Sequence, residues 1–319
     1  MTTAHSANEI RIVRLYDAPL KAVWEAWTDP KQTAQWWGPR GFSTSTQSKE
    51  VRVGGCWTFT MQGPDATEYP NCIRYLEVEP LAKLVYDHGT HEDQAPLFRV
   101  KVQFSERQGK TTMDMVMILP SAEAAAETRK HVKKAGGETT WDRLAEFLSK
   151  ELAGKELFVI HRSFEGNVER LYQMWTDTQH FSHWMAPSGA SHTLIRADLR
   201  MGGSMFYCMS MPGGLKMYGR LQYQELLKPQ RLVYTQQFVD QDEKVQRHPM
   251  APTWPETMQT RVSFAAEDGG KTRVTLIWEP VGPVTAEELQ TFIAGRAGMS
   301  GGWTGTFDKL EEYLASCKV

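Results

Sequence analysis

The residues of this sequence best suited to acid–base or nucleophilic chemistry are His88 and Cys208. His88 follows Tyr86 by two positions, so both share one face of a strand, where a histidine could act as a general acid or base. Its counterpart in the second half of the chain is Gln236, which does not titrate. Cys208 follows Tyr207, but strand alternation turns it to the opposite face, with no histidine placed to activate it as a nucleophile. The sequence therefore assigns no catalytic residue.

Three histidines are the best candidates for a metal site. His180 and His183 have i, i+3 spacing on a short helix and His192 follows, but a carboxylate or cysteine partner of clear geometry is missing. The cysteines form no CxxC pair, so neither a zinc site nor a disulfide framework is predicted. We expect no bound metal, and free thiols in a reducing cytosol at all four cysteines: Cys56, Cys72, Cys208 and Cys317.

Gly-Lys-Thr occurs twice, at residues 109–111 and 270–272, and resembles the end of a phosphate-binding loop. Such a loop needs another glycine five residues earlier, and those positions hold Phe104 and Ala265. Both triplets lie between segments with strand periodicity, so we interpret them as hairpin turns. No nucleotide or other cofactor is expected.

Composition excludes several classes of protein. The 319 residues carry a net charge of −2, so the chain lacks the basic surface typical of a nucleic-acid-binding protein. No stretch approaches the roughly 20 apolar residues of a membrane span, and residues 1–8 do not resemble a signal peptide. We expect a soluble, cytoplasmic protein. The sequence leaves open whether it forms a homodimer.

The elements that must position these residues occur twice, because a motif of Trp-Thr-Asp, Trp and Pro recurs 148 residues later in the chain. The copies are Trp27-Thr28-Asp29 with Trp36 and Pro39, and Trp175-Thr176-Asp177 with Trp184 and Pro187. A period this long indicates duplicated domains rather than a solenoid, whose repeats run to about 20–50 residues. We predict domains at residues 8–152 and 157–318, joined by a short polar linker.

Periodicity predicts the same elements in each copy: a strand, two short helices, about six strands and a final long helix. The final helix of the first copy carries an apolar stripe made of Trp141, Leu144, Leu148 and Leu152. The tryptophans of the motif could form a binding platform, but burial between helix and sheet is the simpler interpretation. Gly136-Gly137 and Gly301-Gly302 are expected to interrupt the helices near the end of each copy. Three prolines would stiffen the loop from Asp240 to Glu256 into a lid.

The order of motifs resembles bacterial domains related to the C-terminal domain of the activator of Hsp90 ATPase. Each copy has Trp-Thr-Asp, Trp-x-x-Pro, Arg-x-Gly-Gly, Tyr-x-Glu and Leu-Val-Tyr in this order. These domains are similar to the START-like, polyketide cyclase and Bet v 1-like proteins. The resemblance implies an α+β helix-grip fold, in which a curved antiparallel sheet wraps around a long C-terminal helix and leaves a cavity between them.

Strand alternation predicts which side chains point into the two cavities. Both sets are mainly apolar with a few polar tips, as in small-molecule pockets, although for each residue alone filling of the core is the simpler interpretation. In the first domain the set is Trp57, Phe59, Tyr75, Tyr86, His88, Met115, Met117 and Trp141. In the second domain it is Met205, Tyr207, Tyr223, Tyr234, Gln236, Trp278, Trp303 and Phe307. The second domain has one more inward-facing tyrosine, and its final helix has an additional tryptophan at its start, Trp303, which together predict the better ligand site.

Three functions fit these features. The first is binding of a small hydrophobic molecule, aromatic or similar to a polyketide or lipid. The second is a cyclase, dehydratase or hydrolase acting in the same cavity, which would need a titratable residue within reach of the ligand. The third, implied by the resemblance alone, is a role with Hsp90, and it ranks last because the activator's separate N-terminal domain is not visible in the sequence.

Overall fold

Alternating apolar and polar residues produce two antiparallel sheets, one in each copy of the repeat. The computed structural model describes residues 6–135 and 139–317, so Gly136-Gly137 and the predicted domain end at residue 318 lie outside the described residues. The chain forms two units that divide between Lys155 and Glu156. Each contains one seven-stranded sheet and its helices, which is the predicted α+β class.

The elements of the first domain follow the predicted order. They are β1 (Glu9–Tyr16), α1 (Leu20–Thr28), α2 (Pro30–Trp36), β2 (Ser43–Lys49), β3 (Cys56–Gln62), β4 (Glu68–Glu79), β5 (Lys83–Gly89), β6 (Phe98–Arg107), β7 (Lys110–Ile118), α3 (Ala122–Ala135) and α4 (Thr139–Ala153). The strands run β1-β7-β6-β5-β4-β3-β2, an antiparallel meander that β1 completes by pairing with β7.

The second domain repeats this arrangement with a single final helix. Its elements are β8 (Phe158–Glu165), α5 (Val168–Thr176), α6 (Thr178–Trp184), β9 (Ser191–Ala197), β10 (Ser204–Ser210), β11 (Lys216–Leu227), β12 (Arg231–Val239), β13 (Thr257–Glu267), β14 (Lys271–Pro280) and α7 (Ala286–Ser316). The strand order, β8-β14-β13-β12-β11-β10-β9, is that of the first sheet.

The repeated Trp-Thr-Asp motif joins the two short helices in each domain. Asp29 ends α1, and its carboxylate accepts hydrogen bonds from the backbone of Lys31 and Gln32 at the start of α2. Asp177 caps α6 in the same way. An acidic N-cap satisfies backbone N–H groups that the first helical turn leaves unpaired. The predicted break between the helices is confirmed.

The recurring tryptophans are core residues, so the platform interpretation is wrong. Trp36 and Trp184 are both 0% exposed. Each indole Nε1 donates a hydrogen bond of 3.0 Å to a carbonyl of the preceding helix, at Ala26 and Met174 respectively. Burial with a satisfied N–H is what a large aromatic in a packed core requires. These side chains fix the two short helices against the sheet.

The final helices differ from the sequence prediction at two points. α7 continues through Gly301-Gly302 as an unbroken helix, so the predicted interruption there is wrong. Glycine lowers helix stability by about 1 kcal/mol, an amount that packing of a long helix overrides. In α4 the predicted stripe is buried at Trp141 and Leu148, but Leu152 near the helix end is 50% exposed.

No helix among the described residues is long and apolar enough to cross a membrane.

Candidate ligand-binding cavity

The second domain contains a cavity of about 170 Å³ between its sheet and its final helix. The walls come from α6 and the loop after it, from the inner face of strands β9–β12 and β14, and from the middle of α7. The lining residues are Phe181, Met185, Ala186, Pro187, His192, Tyr207, Met209, Leu221, Tyr234, Gln236, Trp278, Met299, Gly302, Trp303 and Thr306.

Strand alternation on β10 brings Tyr207 and Met209 to the cavity, as predicted for an inward-facing register. Tyr207 pairs directly with Gly219 of β11. A Cβ atom on Gly219 would lie 2.3 Å from the Tyr207 ring, so only glycine leaves room for the ring to lie across that strand. The position of the Tyr207 hydroxyl therefore depends on this glycine.

The polar side chains of Gln236, Tyr207 and Tyr234 in the cavity wall are neutral. Gln236 Nε2 donates a hydrogen bond of 3.3 Å to the Tyr207 hydroxyl. Burial raises the pKa of both Tyr207 and Tyr234 well above the usual range, because a phenolate would lose its hydration. Both side chains are phenols near neutral pH, able to donate or accept a hydrogen bond.

His192 is a wall residue whose two ring nitrogens make no hydrogen bond to the described residues. Its ring stacks on Tyr207, with centroids 4.9 Å apart, and meets Phe181 edge-on at 5.4 Å. Neither ring nitrogen has a hydrogen-bond partner among the described residues. Burial, with a smaller contribution from the charge of Lys309, lowers the pKa of His192 to about 4, so the imidazole is neutral. An unsatisfied buried polar group costs about 1–3 kcal/mol.

Two tryptophans also line the cavity. Trp278 of β14 and Trp303 of α7 meet edge to face, with ring centroids 5.7 Å apart. The indole Nε1 of Trp278 is buried and has no hydrogen-bond partner within residues 6–135 and 139–317. The tryptophan pair therefore offers a ligand apolar surface and one N–H donor.

Glycine on α7 provides space at the helix side of the cavity. A Cβ atom on Gly302 would meet no other atom within 4 Å. One turn later the Thr306 hydroxyl donates to the Gly302 carbonyl at 2.9 Å, which uses its hydrogen in the helix. Any larger side chain at position 302 would extend into the volume that the cavity occupies.

The structure brings five of the eight residues predicted for the second cavity to its wall. These are Tyr207, Tyr234, Gln236, Trp278 and Trp303. The other three, Met205, Tyr223 and Phe307, are at most 2% exposed and belong to the surrounding core. Sequence reasoning did not place Met185, His192 or Gly302 in the site.

In the first domain, aromatic rings occupy the corresponding region. Trp37 is 7% exposed, and its ring centroid lies 5.0 Å from that of Trp57 and 5.5 Å from that of Trp27. The positions that correspond to Trp37 and Trp57 at the repeat offset hold Met185 and Met205. Exchange of two indoles for flexible thioethers removes ring volume beside the second cavity.

The residues predicted for the first cavity pack against one another as core. Trp57 and Phe59 stack with centroids 4.0 Å apart, and Trp141 stacks on Trp27 at 5.6 Å. His88 Nε2 is hydrogen-bonded to Asn71 Oδ1 at 2.9 Å, and burial lowers the pKa of His88 to about 4. The remaining predicted residues, Tyr75, Tyr86, Met115 and Met117, belong to the same core or pack against it.

The predicted lid does not contribute to the cavity wall. None of the described lining residues comes from the loop between β12 and β13. This loop packs instead on the first turns of α7, where Trp254 meets Phe292 with centroids 5.8 Å apart and Arg247 pairs with Glu288. The loop therefore contacts α7 near Glu288 and Phe292, well before Gly302 in the sequence.

The three histidines considered for a metal site serve different contacts. His180 is hydrogen-bonded to the Tyr313 hydroxyl at 2.9 Å, and the ring of His183 stacks on the same tyrosine. His192 faces the cavity. Within the described part of the chain, no group of three His, Cys, Asp or Glu residues could hold a metal ion. The four cysteines are free thiols.

Comparison with known families identifies the duplicated unit. The model of the activator of Hsp90 ATPase homolog 1-like protein family matches residues 17–149 and again residues 166–315. The chain belongs to this family. The two matched regions cover both copies of the repeat, so the resemblance stated from the motifs is confirmed. A search among curated proteins found no match.

Similar solved structures include proteins about half as long as this chain and a protein of about the same length. Protein Ms6760 of Mycobacterium smegmatis is 22% identical, with a TM-score of 0.42 over 51% of this chain and 93% of that one. A protein of Arthrobacter aurescens is 26% identical, with a TM-score of 0.42 over 45% and 87%. The di-domain ARO/CYC BexL from the BE-7585A biosynthetic pathway is 12% identical, with a TM-score of 0.38 over 96% and 98%.

The site residues that sequence reasoning missed had a signal in the repeat itself. His192 occupies the position of Thr44, whose hydroxyl donates to the Trp37 carbonyl at 2.7 Å. Met185 occupies the position of Trp37 itself. Comparing the copies position by position would have shown that a satisfied hydroxyl and a filling indole are both replaced in the second domain.

Proposed function

We propose that the second domain binds a small, uncharged, largely apolar molecule with a single aromatic ring. The observation that carries this proposal is the cavity of about 170 Å³ between β10, β12 and α7. An apolar cavity of about 150 Å³ is large enough to bind benzene, whereas drug-sized ligands need about 300–1,000 Å³. The size therefore favours one ring over a polycyclic polyketide or a lipid.

The composition of the wall supports an uncharged ligand. Among the fifteen described residues that line the cavity, none is Asp, Glu, Lys or Arg. Transfer of an unpaired charge into such surroundings is strongly unfavourable. Aromatic edges and faces from Phe181, Trp278 and Trp303 suit a flat ring, and Met185, Met209 and Met299 can adapt to its substituents.

The expected affinity is modest. A one-ring molecule that buries roughly 150–200 Å² of apolar surface gains about 4–5 kcal/mol at 25 cal/mol per Å². That free energy corresponds to a dissociation constant of roughly 0.2–1 mM before any hydrogen bond is counted, and ordering costs weaken it further. Tighter binding would need the polar groups of the wall.

The test uses two neighbouring glycines of α7 with different surroundings. Gly302→Leu places an isobutyl group in the cavity, and Gly301→Leu places the same group on the exposed side of the helix. Both exchanges should raise helix propensity by about 1 kcal/mol. Titration with p-xylene, followed by calorimetry and tryptophan fluorescence, should show binding to the wild type and to Gly301→Leu, with at least tenfold weaker binding to Gly302→Leu.

Thermal unfolding provides the check on folding. Both leucine variants should unfold at or above the temperature of the wild type, so that loss of binding in one of them reports on the cavity alone. No binding of p-xylene to the wild type, or equal binding to both variants, would contradict the proposal.

A further inference from the structure

We infer that the ligand of this cavity carries a neutral hydroxyl group on its ring, and that His192 is the residue that selects it. This inference rests on the proposed function, since it concerns the same cavity. It adds the chemical class of the ligand, a one-ring hydroxyaromatic compound, and a specificity-determining residue.

The fold places the His192 side chain on the wall without giving it a partner. His192 pairs with Met209 across the β9–β10 ladder, and both residues line the cavity. The side chain is 9% exposed, and its two nitrogens are buried with no hydrogen-bond partner among the residues described. The ring is held by its contacts with Tyr207 and Phe181. The imidazole is therefore fixed in orientation while its polar atoms are unsatisfied.

In the first domain, which has the same fold, the residue at the position of His192 has a hydrogen-bond partner. At the corresponding position Thr44 donates its hydroxyl hydrogen to the Trp37 carbonyl at 2.7 Å. In the second domain the histidine makes no equivalent bond to Met185 among the described contacts. A buried polar group without a partner in the protein is explained when a ligand supplies that partner.

The chemistry of the wall decides which ligand group fits. A neutral imidazole has one N–H donor and one acceptor nitrogen, and a hydroxyl can serve either of them. Trp278, another lining residue, also carries an unpaired donor at Nε1. A carboxylate would need a cation, and the nearby ammonium of Lys309, which donates to the Ala190 carbonyl at 3.2 Å, is outside the described lining. An uncharged hydroxyl meets these conditions without a buried charge.

The experiment compares p-cresol with p-xylene, which have nearly the same shape but carry a hydroxyl or a methyl group at one position. Wild-type protein should bind p-cresol at least tenfold more tightly, since a group that pairs with a buried polar atom discriminates strongly against an analogue without it. In His192→Phe, which keeps a ring against Tyr207, the preference should fall to less than threefold, mainly because p-cresol binds more weakly. His183→Phe, which alters an exposed histidine stacked on Tyr313, should keep the preference.

Ring-nitrogen chemical shifts of ¹⁵N-labelled histidine give a second measurement that needs no variant. Addition of p-cresol, but not of p-xylene, should move the His192 signals of the wild-type protein. Equal affinity for the two compounds, or an undiminished preference in His192→Phe, would overturn the inference while leaving the proposed function in place. Failure of both compounds to bind the wild type would overturn both.

Discussion

Tyr207 lies directly across from Gly219 in the β10–β11 ladder, and a Cβ atom on that glycine would lie 2.3 Å from the ring carbon that carries the Tyr207 hydroxyl. The position of the Tyr207 ring therefore requires a residue without a side chain at position 219. The residue at the corresponding position of the first domain is Asn71, whose Oδ1 is hydrogen-bonded to His88 Nε2. The two copies thus support their inward-facing polar groups with different residues at one position.

Gly219→Ala should displace the Tyr207 ring, since a contact of 2.3 Å cannot be accommodated without movement. Overpacking of this kind lowers the free energy of unfolding by about 1–3 kcal/mol. We expect weaker p-xylene binding as well, because the displaced ring lines the cavity. Urea unfolding and calorimetric titration measure the two effects. Gly301→Ala, at an exposed glycine of α7, is the control and should be neutral or stabilising.

Trp36→Ala and Trp184→Ala should each destabilise their own domain by about 3–5 kcal/mol, the usual effect of removing a large buried aromatic side chain. Both indoles are 0% exposed and hydrogen-bonded through Nε1. Denaturant unfolding of each variant checks the magnitude. A loss below about 1 kcal/mol in either variant would be incompatible with the packing described.

Met185→Trp should convert the second cavity toward the packing of the first domain, where Trp37 fills this position. The added indole enters the cavity that Met185 lines, so p-xylene should bind at least tenfold more weakly. Met185→Leu keeps a similar volume and should retain binding. Binding by the tryptophan variant at wild-type strength would show that position 185 does not limit the space.

His192 should make the second domain sensitive to acid. Its pKa is lowered to about 4 from an ordinary value of about 6.5, so the unfolded chain binds a proton more readily than the folded one between these pH values. This contribution is fully present above about pH 6.5 and is lost as the pH falls toward 4. Between pH 7 and pH 4.5 the loss should be about 2–3 kcal/mol.

Other groups also titrate in this range, including His88 of the first domain, whose pKa is lowered in the same direction. The informative quantity is therefore the difference between the wild type and His192→Phe, measured by urea unfolding at both pH values. The variant should lose about 2–3 kcal/mol less than the wild type. Equal losses would mean that His192 is solvated or paired.

Much of the fold could be predicted because the two copies align without gaps from Ile12/Ile160 to Tyr86/Tyr234. In β10 the run from Met205 to Met209 is apolar throughout, and only the first copy fixed which side chains face inward. That register correctly placed Tyr207 toward the helix and close to Gln236. The capped helix start at Asp29 followed from short-range chemistry that each sequence segment contains by itself.

The remaining features depend on interactions that a local pattern does not contain. Gly301-Gly302 has the signature of a helix break, yet α7 continues because its packing outweighs the low propensity of two residues. The sequence suggests His192 only as a metal ligand, because it lies close to His180 and His183 in the chain. The cavity itself is a difference between the volume enclosed by the sheet and the side chains that fill it, which no single residue reveals.

Five glycines occur between residues 295 and 305, in the part of α7 that borders the cavity. Relative to alanine they lower the intrinsic stability of this segment by roughly 4–5 kcal/mol. The segment should therefore open locally more often than the turns near Leu310, and its backbone amides should exchange with deuterium faster. A helix wall that opens transiently gives a small molecule a route into the cavity without movement of the sheet. A bound ligand should slow the exchange of these amides.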